Sequence, residues 1–191
     1  MPEIKQQFTG GKMEKDLDER LIPNGQYRDA MNIQVATSEG SEVGTVQNIL
    51  GNRQILLLGN FQLSADARTI GCVADEKNDT LYYLVWDTTS NYVMSYSRGD
   101  SFVRPVFVDH HNILGFESNT QITGINIIDD MLFWTDNKTE PKKINIPRSK
   151  LGTPTFNNHT KFINKGRGFT APSNSPNAEE KHITVIKKGP N

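Results

Sequence analysis

The fold is decided by the run TIGCVADEKNDTLYYLVWDTTSNYVMSYSRGDSFVRPVFV, residues 69–108. In it, short apolar and aromatic segments alternate with turn-forming segments rich in Asp, Asn, Ser and Gly, and helix periodicity is absent. The predicted strands are residues 70–74, 80–86, 92–96 and 102–108. They indicate one antiparallel unit of the size of a propeller blade. Pro105 has no backbone N–H to donate, which predicts that the last strand lies at an edge of the sheet.

A second copy of the pattern follows roughly 50 residues later, in ITGINIIDDMLFWTDNKTEPKKINI, residues 122–146. Its segments ITGINI and MLFWTD match IGCV and YYLVWD of the first unit, and KKINI supplies a third strand. Such a period, with an aromatic residue and Asp closing the second strand, is typical of β-propeller blades. The aromatic residues are expected to pack between sheets, and the aspartate to cap the next turn. The predicted blade core is Tyr82, Trp86, Phe133, Trp134 and Asp136.

The predicted fold class is all-β, with β-propeller-like blades, an extended N-terminal arm and an irregular C-terminal tail. About two blades cannot close a ring that typically needs about 4–8 of them. The ring is therefore incomplete, and the missing blades are expected from another polypeptide or from the rest of a longer precursor. Residues 183–186 look like a strand meant for such an open edge, and the chain by itself is expected to aggregate or to pack loosely.

The other segments complete the predicted domain organisation. Residues 1–30 have too few apolar side chains to define a buried face, which predicts an extended arm lying across a neighbouring subunit. Residues 31–68 form a strand-rich connector, with strands expected at 30–37 and 43–50. Residues 69–148 contain the two blades, and residues 149–191 form the irregular tail with its terminal strand.

Composition and charge exclude several classes of protein. The chain of 191 residues is 35% hydrophobic and carries 21 basic and 22 acidic side chains, so it has no overall field that attracts nucleic acid or an anionic membrane. Its one cysteine cannot form an internal disulfide, and its four histidines do not follow a zinc pattern. No stretch approaches the length of a membrane span, and we expect no membrane in folding.

Two clusters invite a chemical interpretation. Asp16, Asp18 and Glu19 suggest a cation site, but the further ligands and the glycine of an EF-hand loop are missing, so a solvated or arginine-paired arm is favoured. The segment Asp109-His110-His111-Asn112 suggests a hydrolase or a metal site, but a polar turn after a strand is the favoured interpretation. We therefore predict no enzymatic activity, no metal and no cofactor.

Modest basic stretches are the candidate contacts with DNA phosphates. They lack the interleaved aromatic residues of a single-strand binding groove, so any contact would be local and nonspecific. The candidate DNA-facing residues are Lys142, Lys143, Lys165 and Arg167.

The N-terminal residues also resemble a known family. FTGGKM (8–13) is followed by DLDERLIPNGQYRDAMN (16–32), and then by TSEGS, VG and QNILGN within residues 37–52. These strings resemble the packaged-DNA stabilisation proteins of short-tailed phages, a family that includes the muzzle proteins of crAss-like phages. The resemblance is dense over the first 52 residues and loose over the predicted blades.

The resemblance implies a structural protein of the virion tail hub that is made in the host cytoplasm. Members of the family lie below the portal and ring proteins, where they plug or gate the DNA channel and retain the packaged DNA. The implied partners are other tail proteins, further copies in a homo-oligomeric ring, and packaged DNA through nonspecific contact. The residues expected to anchor the arm are Phe8, Leu17, Arg20, Leu21, Tyr27 and Arg28.

One alternative from a different class is a receptor- or carbohydrate-binding propeller module on the virion surface. Such a module would present aromatic platforms beside carboxylates on one exposed face. A propeller hydrolase is disfavoured, because the sequence shows no converging base, orienting group and electrophile.

Overall fold

The computed structural model describes residues 10–35, 46–49 and 51–186. The chain divides into two compact units, Met1–Gln54 and Ile55–Asn191. Both contain β-structure, which confirms the mainly β fold class. Within the described ranges, no helix is long and apolar enough to cross a membrane.

The smaller unit contains a closed loop followed by a short strand pair. Strands β1 (Ile33–Val35) and β2 (Val46–Asn48) pair antiparallel, as the sequence predicts for the connector. Before them, the N–H of Gly10 donates to the Gly25 carbonyl (2.9 Å) and the N–H of Tyr27 donates to the Lys12 carbonyl (3.1 Å). The chain therefore doubles back between residues 10 and 27, where the sequence analysis expected an extended arm. A 3₁₀ turn at Glu19–Leu21 lies in the loop.

The larger unit is built on a five-stranded sheet in the order β3-β7-β6-β5-β4. Strands β4 to β7 pair antiparallel in sequence order, so the predicted four-strand unit is confirmed. Tight turns rich in Asp, Asn, Ser and Gly connect these strands, since such residues accept turn conformations. The strands are β3 (Leu56–Leu57), β4 (Arg68–Asp75), β5 (Thr80–Trp86), β6 (Asn91–Ser97) and β7 (Phe102–Asp109).

The prediction that β7 is an edge strand is wrong for its first two residues, because β3 lies beside them in parallel, but within the described residues no strand pairs with the rest of that side of β7. The pairing covers only Phe102 and Val103, so Pro105 lies beyond it. The register between β6 and β7 also shifts between Val93 and Met94, next to the proline. A strand can accept a proline at such a place, because no ladder hydrogen bond is required of it there.

The second sheet contains the three strands that the sequence predicts for the second copy of the pattern, one strand fewer than the first copy. It has three antiparallel strands in the order β10-β9-β8, namely β8 (Gly124–Ile128), β9 (Met131–Thr135) and β10 (Lys142–Asn145). Helix α1 (Ile146–Gly152) stands where a fourth strand would follow. The Asn145 side chain caps α1 by accepting the N–H of Arg148, and a proline occupies its first turn. The two repeats therefore differ in strand number, and the sheets of the described residues form no closed barrel.

Two apolar layers cover the two faces of the five-stranded sheet. Alternate residues of β5 point to opposite faces, so Tyr82 and Leu84 enter one layer and Tyr83 and Val85 the other. The first layer joins both sheets, since Leu132 and Trp134 contribute to the same buried cluster. A fully buried leucine of this layer, such as Leu84 or Leu132, stabilises the fold by about 1.5–3 kcal/mol. Phe61 and Phe156 stack in the second layer with their ring centroids 5.0 Å apart.

The C-terminal segment is packed against the sheets, although the sequence predicts an irregular tail. Thr160 accepts the N–H of Val108 with its side chain (2.7 Å) and donates its own N–H to the Val108 carbonyl (3.0 Å). The Thr153 hydroxyl donates to the Val106 carbonyl (3.2 Å). The tail therefore satisfies the part of the β7 edge that β3 leaves open.

A glycine permits this approach. A Cβ atom at Gly152 would lie 2.2 Å from the Lys161 carbonyl oxygen, well inside van der Waals contact. The N–H of Lys161 donates to the Gly152 carbonyl (3.0 Å), so the two backbones touch directly. The close contact fixes the end of α1 against the returning tail.

The predicted terminal strand is only partly present. Residue Ile183 ends helix α2 (Glu180–Ile183), and one antiparallel bridge joins Thr184 to Lys142 at the edge of β10. The N–H of Val185 donates to the Pro141 carbonyl (2.9 Å). Residues 183–185 therefore cover an edge of their own chain.

The Thr160→Val variant tests whether the tail belongs to the folded core. Valine keeps the shape but leaves the buried N–H of Val108 without its acceptor, so we expect a loss of about 1–3 kcal/mol in unfolding free energy. Urea unfolding followed by fluorescence of the two tryptophans measures it. Thr170→Val, at an exposed site, is the matched control. Equal stability of both variants would contradict the prediction.

Candidate assembly surfaces and a basic cleft

Three aspartates at strand ends have structural roles. Asp87, Asp109 and Asp136 follow or end β5, β7 and β9, and all are at least nine-tenths buried. Asp109 accepts the backbone N–H groups of His111 (2.9 Å) and Leu114 (2.7 Å). Asp136 accepts those of Lys138 (3.0 Å) and Thr139 (2.8 Å). Asp109 and Asp136 therefore close the turns after their strands, as a hydrogen-bonded Asp commonly does. Asp87 instead accepts the N–H groups of Thr88 (2.6 Å) and Ser64 (3.3 Å), which ties the end of β5 to residue 64.

The electrostatics around Asp136 follow from these contacts. Burial raises the pKa of Asp136, but hydrogen bonds from Thr139 and Lys138 and the charge of Lys142 outweigh it, so the pKa is lowered. The Lys142 ammonium donates to the Thr139 hydroxyl (2.6 Å), which in turn donates to Asp136 (2.8 Å). Lys142 is only 1% exposed. Its side chain therefore lies in the interior, although the sequence analysis named Lys142 as a candidate DNA-facing residue.

A histidine cluster lies where β7 meets the tail. The buried His159 ring accepts the N–H of His110 at Nδ1 (3.1 Å), and its Nε2 lies 3.0 Å from the Ala178 carbonyl oxygen. This pattern requires the neutral tautomer with its proton on Nε2. Burial is the main cause that lowers the pKa of His159, while the Ala178 bond and Asp109 raise it and His111 and His110 lower it. The cluster connects strand to tail, and the oxygens of Asp109 are used in turn capping.

A surface pocket beside this cluster does not have the geometry of a hydrolase. Its volume is about 420 Å³ and its lining includes Ser90, Asp109 and His110. The Ser90 hydroxyl lies 2.6 Å from Nδ1 of His110, which gives a serine and a possible base. Asp109 bonds instead to backbone N–H groups and lies 3.9 Å from His159, so it does not orient His110. The polar-turn interpretation of residues 109–112 agrees with these contacts.

The acidic residues of the N-terminal loop have local partners. Asp18 accepts the N–H of Arg20 (3.0 Å), and Glu19 forms an exposed ion pair with Arg28 (3.2 Å). Within the ranges that the structure describes, no three His, Cys, Asp or Glu side chains are grouped so that they could hold a metal ion.

The predicted blade-core residues fall into two groups. Tyr82, Trp134 and Asp136 are buried, with Tyr82 and Trp134 in the layer between the sheets. Trp86 is half-buried, and the Arg68 guanidinium lies 5.1 Å from its ring centroid. Phe133 is half-buried on the other face of the second sheet, because it alternates with Leu132 and Trp134 along β9.

The predicted arm residues are mostly exposed. Leu17 is 37% and Leu21 67% exposed, and Arg20 and Arg28 are exposed as well. Tyr27 is half-buried in the loop that doubles back. Phe8 lies outside the described residues.

A basic cleft is formed by the tail and the second sheet. It has a volume of about 310 Å³ and lies between the β10–α1 junction and residues 160–163 and 178–183. Lys143, Arg148 and Lys161 line it together with His182, whose ring stacks on Phe162 at 3.8 Å. Lys165 and Arg167 are not in the lining and lie on an exposed 3₁₀ turn. Of the cations in this cleft, the sequence analysis named Lys143, and nothing in the spacing of the basic residues indicated that Arg148 and Lys161 share a cleft with it.

Comparison with known proteins identifies a family. A family model described as Crassvirus muzzle protein matches residues 3–171. No curated protein and no solved structure gives a significant match.

The histidine cluster predicts a pH dependence of stability. The pKa of His159 in the folded chain lies below its ordinary value of 6.5. The stability that the neutral ring contributes is therefore fully present above pH 6.5 and is lost as the pH falls below that value. His159→Asn keeps an acceptor for His110 but cannot titrate, and should flatten this dependence while lowering stability by about 1–2 kcal/mol. Urea unfolding between pH 5 and 8 measures both effects. His182→Asn is the control, and an unchanged pH profile in His159→Asn would refute the assignment.

Proposed function

The chain belongs to the Crassvirus muzzle protein family, since the family model spans most of it, and we propose that it helps to close or gate the DNA channel of the virion tail. Membership implies a structural role in the virion tail, in association with other tail proteins. The finer proposal is that several copies form a ring that retains packaged DNA until ejection. The proposed role involves no catalysis.

The smaller unit supports a role in assembly. Its described residues contribute no apolar side chain to the buried core. Instead, they include five exposed large apolar side chains, namely Met13, Leu17, Leu21, Met31 and Ile49. Met31 is 84% exposed. Exposed apolar groups close together in sequence mark contact surfaces, because burying them releases about 25 cal/mol per Å². We therefore propose that the loop of the smaller unit docks on a neighbouring tail protein.

The second sheet supports the proposal of further blades. On its outer face, Ile128 pairs with Met131 across β8 and β9, and Phe133 follows Met131 by two residues on the same face. Ile128 is 55% exposed, and Met131 and Phe133 are half-buried. A propeller blade presents such a face to the next blade. We propose that the two sheets are blades of a ring that other polypeptide segments complete.

Exposed cations support a local contact with DNA. Lys165 and Arg167 lie two residues apart on a solvent-exposed 3₁₀ turn. A phosphate contact of this kind requires no base recognition and weakens as salt rises. We propose that this turn faces packaged DNA in the channel.

The receptor-binding alternative lacks a favouring observation. A sugar platform needs an open aromatic face beside carboxylates. Trp86 lies beside Asp87, but the Arg68 guanidinium occupies its ring face and Asp87 is bonded to Ser64 and Thr88. The tail proposal therefore remains the better supported one.

Leu17→Asp/Leu21→Asp tests the assembly role. Placing charges on the proposed contact should reduce incorporation into particles by at least about tenfold, equivalent to about 1.4 kcal/mol of binding free energy. Phage that lack the native chain are complemented with the variant, and its copy number per particle is measured by mass spectrometry. Leu151→Asp, at an exposed position of α1, is the matched control. Incorporation of the loop variant at the native level would disprove the role.

Lys165→Glu/Arg167→Glu tests the DNA contact separately. Reversing both charges replaces attraction to phosphates by repulsion, so particles should release DNA at a lower temperature, with the greatest difference from native particles at low salt. A dye-binding heating assay measures the release. Lys77→Glu/Arg98→Glu, with two exposed cations elsewhere, is the control. If the test and control particles release DNA at the same temperature, the turn does not face DNA.

A further inference from the structure

The basic cleft has the composition of a site for an anionic ligand with an apolar part. Its cationic lining is Lys143, Arg148 and Lys161. Its apolar lining includes Met131 and Phe162, which are half-buried, and Ile144, Ile163 and Ile183, which are each only 3% exposed. No aspartate or glutamate belongs to the described lining, so no acid within the cleft neutralises these charges.

The cations of the cleft differ in whether they already have a hydrogen-bond or ion-pair partner. Lys161 donates to the Asn177 side chain (2.6 Å). Lys143 and Arg148 form no ion pair within the described part of the chain. Arg148 is exposed on α1 and Lys143 is half-buried on β10. These two side chains are therefore the ones available to incoming carboxylates, which cations bind through strong charge-assisted hydrogen bonds.

A peptide fits the cleft better than DNA does. Phosphate contacts need cations on an open track and gain nothing from buried isoleucines. An aliphatic side chain flanked by carboxylates uses both parts of the lining, since the apolar group loses water and the carboxylates meet the cations. A volume of about 310 Å³ accommodates a few side chains and not a duplex.

The chain itself carries such a segment. In its smaller unit, Leu17 is exposed between Asp16 and Asp18, and Glu19 follows. The neighbouring Lys15 is held in an ion pair with Asp29 (3.4 Å), which partly neutralises its charge. The segment Asp16–Glu19 therefore presents one apolar side chain among three carboxylates. The ion pair of Glu19 with Arg28 is exposed and contributes little to stability, so Glu19 can exchange Arg28 for a cation of the cleft.

We propose that the segment Asp16–Glu19 of one copy binds in the basic cleft of a second copy. Leu17 contacts the apolar lining, and the carboxylates meet Lys143 and Arg148. The contact joins two different surfaces, so its repetition generates a ring when the rotation between successive copies closes. The inference rests on the proposed homo-oligomeric ring, to which it assigns the contact between copies.

Charge reversal and complementation in trans test the contact on the full chain. Variant one, Asp16→Lys/Glu19→Lys, has a basic segment and a basic cleft. Variant two, Lys143→Glu/Arg148→Glu, has an acidic segment and an acidic cleft. Each alone should self-associate at least about tenfold more weakly than the native chain in sedimentation velocity. Their equimolar mixture should associate again, because each segment then meets a cleft of opposite charge.

The mixture also distinguishes loss of the contact between copies from misfolding of a variant. Its recovery shows that both variants are folded and that the contact forms between copies, whereas two variants that stay apart when mixed would overturn the proposal. Lys77→Glu/Arg98→Glu is the control for charge reversal elsewhere, and an equal loss of association in it would also overturn the contact. If the native chain self-associates and all variants do so equally, the ring stands and the contact fails.

A peptide of residues 13–21, MEKDLDERL, tests the cleft without requiring a ring. Its fluorescently labelled form should bind the native full chain saturably, and Lys143→Glu/Arg148→Glu should weaken this binding at least about tenfold. Replacing Leu17 of the peptide by Ser should weaken binding as well, because the apolar lining then has no partner. Absence of peptide binding, or binding at the cleft by a DNA oligonucleotide alone, would refute the proposal.

Discussion

The larger unit depends on the hydrogen bonding of one strand, β7. Strand β3 pairs with only its first two residues, and Pro105, which lies beyond them, has no N–H to donate. An unpaired buried backbone group costs about 1–3 kcal/mol, so the rest of that edge needs partners. Thr153, Thr160 and His159 supply them from the tail. The tail is thereby held in place, and the basic cleft exists because residues 160–163 and 178–183 are fixed beside β10 and α1.

The same chain leaves other apolar surface uncovered. The loop of the smaller unit exposes Leu21 and Met31, and the outer face of the second sheet exposes Ile128. In the layer between the sheets, by contrast, Leu84 and Leu132 are fully buried. This contrast agrees with a protein whose stability by itself comes from one unit while its remaining apolar surface serves contacts with other tail proteins. Membership of the muzzle family gives the same expectation from an independent direction.

The residues that most resembled catalytic or ligand-binding groups have structural roles. Asp109, Asp136 and His159 are buried and bonded to backbone groups, which is how a polar side chain becomes compatible with the interior. Lys142 is buried through the hydroxyl of Thr139. Among the exposed and half-buried cations, Arg148 and Lys143 share a cleft with apolar side chains.

The sequence by itself determined the strands, the turns and the family. Two-residue alternation fixes which side chains share a face, so β4 to β7 and the hairpin of β8 and β9 were predictable, and so was the capping by Asp136. Tertiary structure alone decided the place of β3 beside β7, the packing of the tail and the burial of Lys142. These features join residues far apart in the chain, such as Val108 and Thr160, through hydrogen bonds that local pattern does not encode. The cleft belongs to this second group, because its basic residues meet only after the tail has closed the open edge of β7.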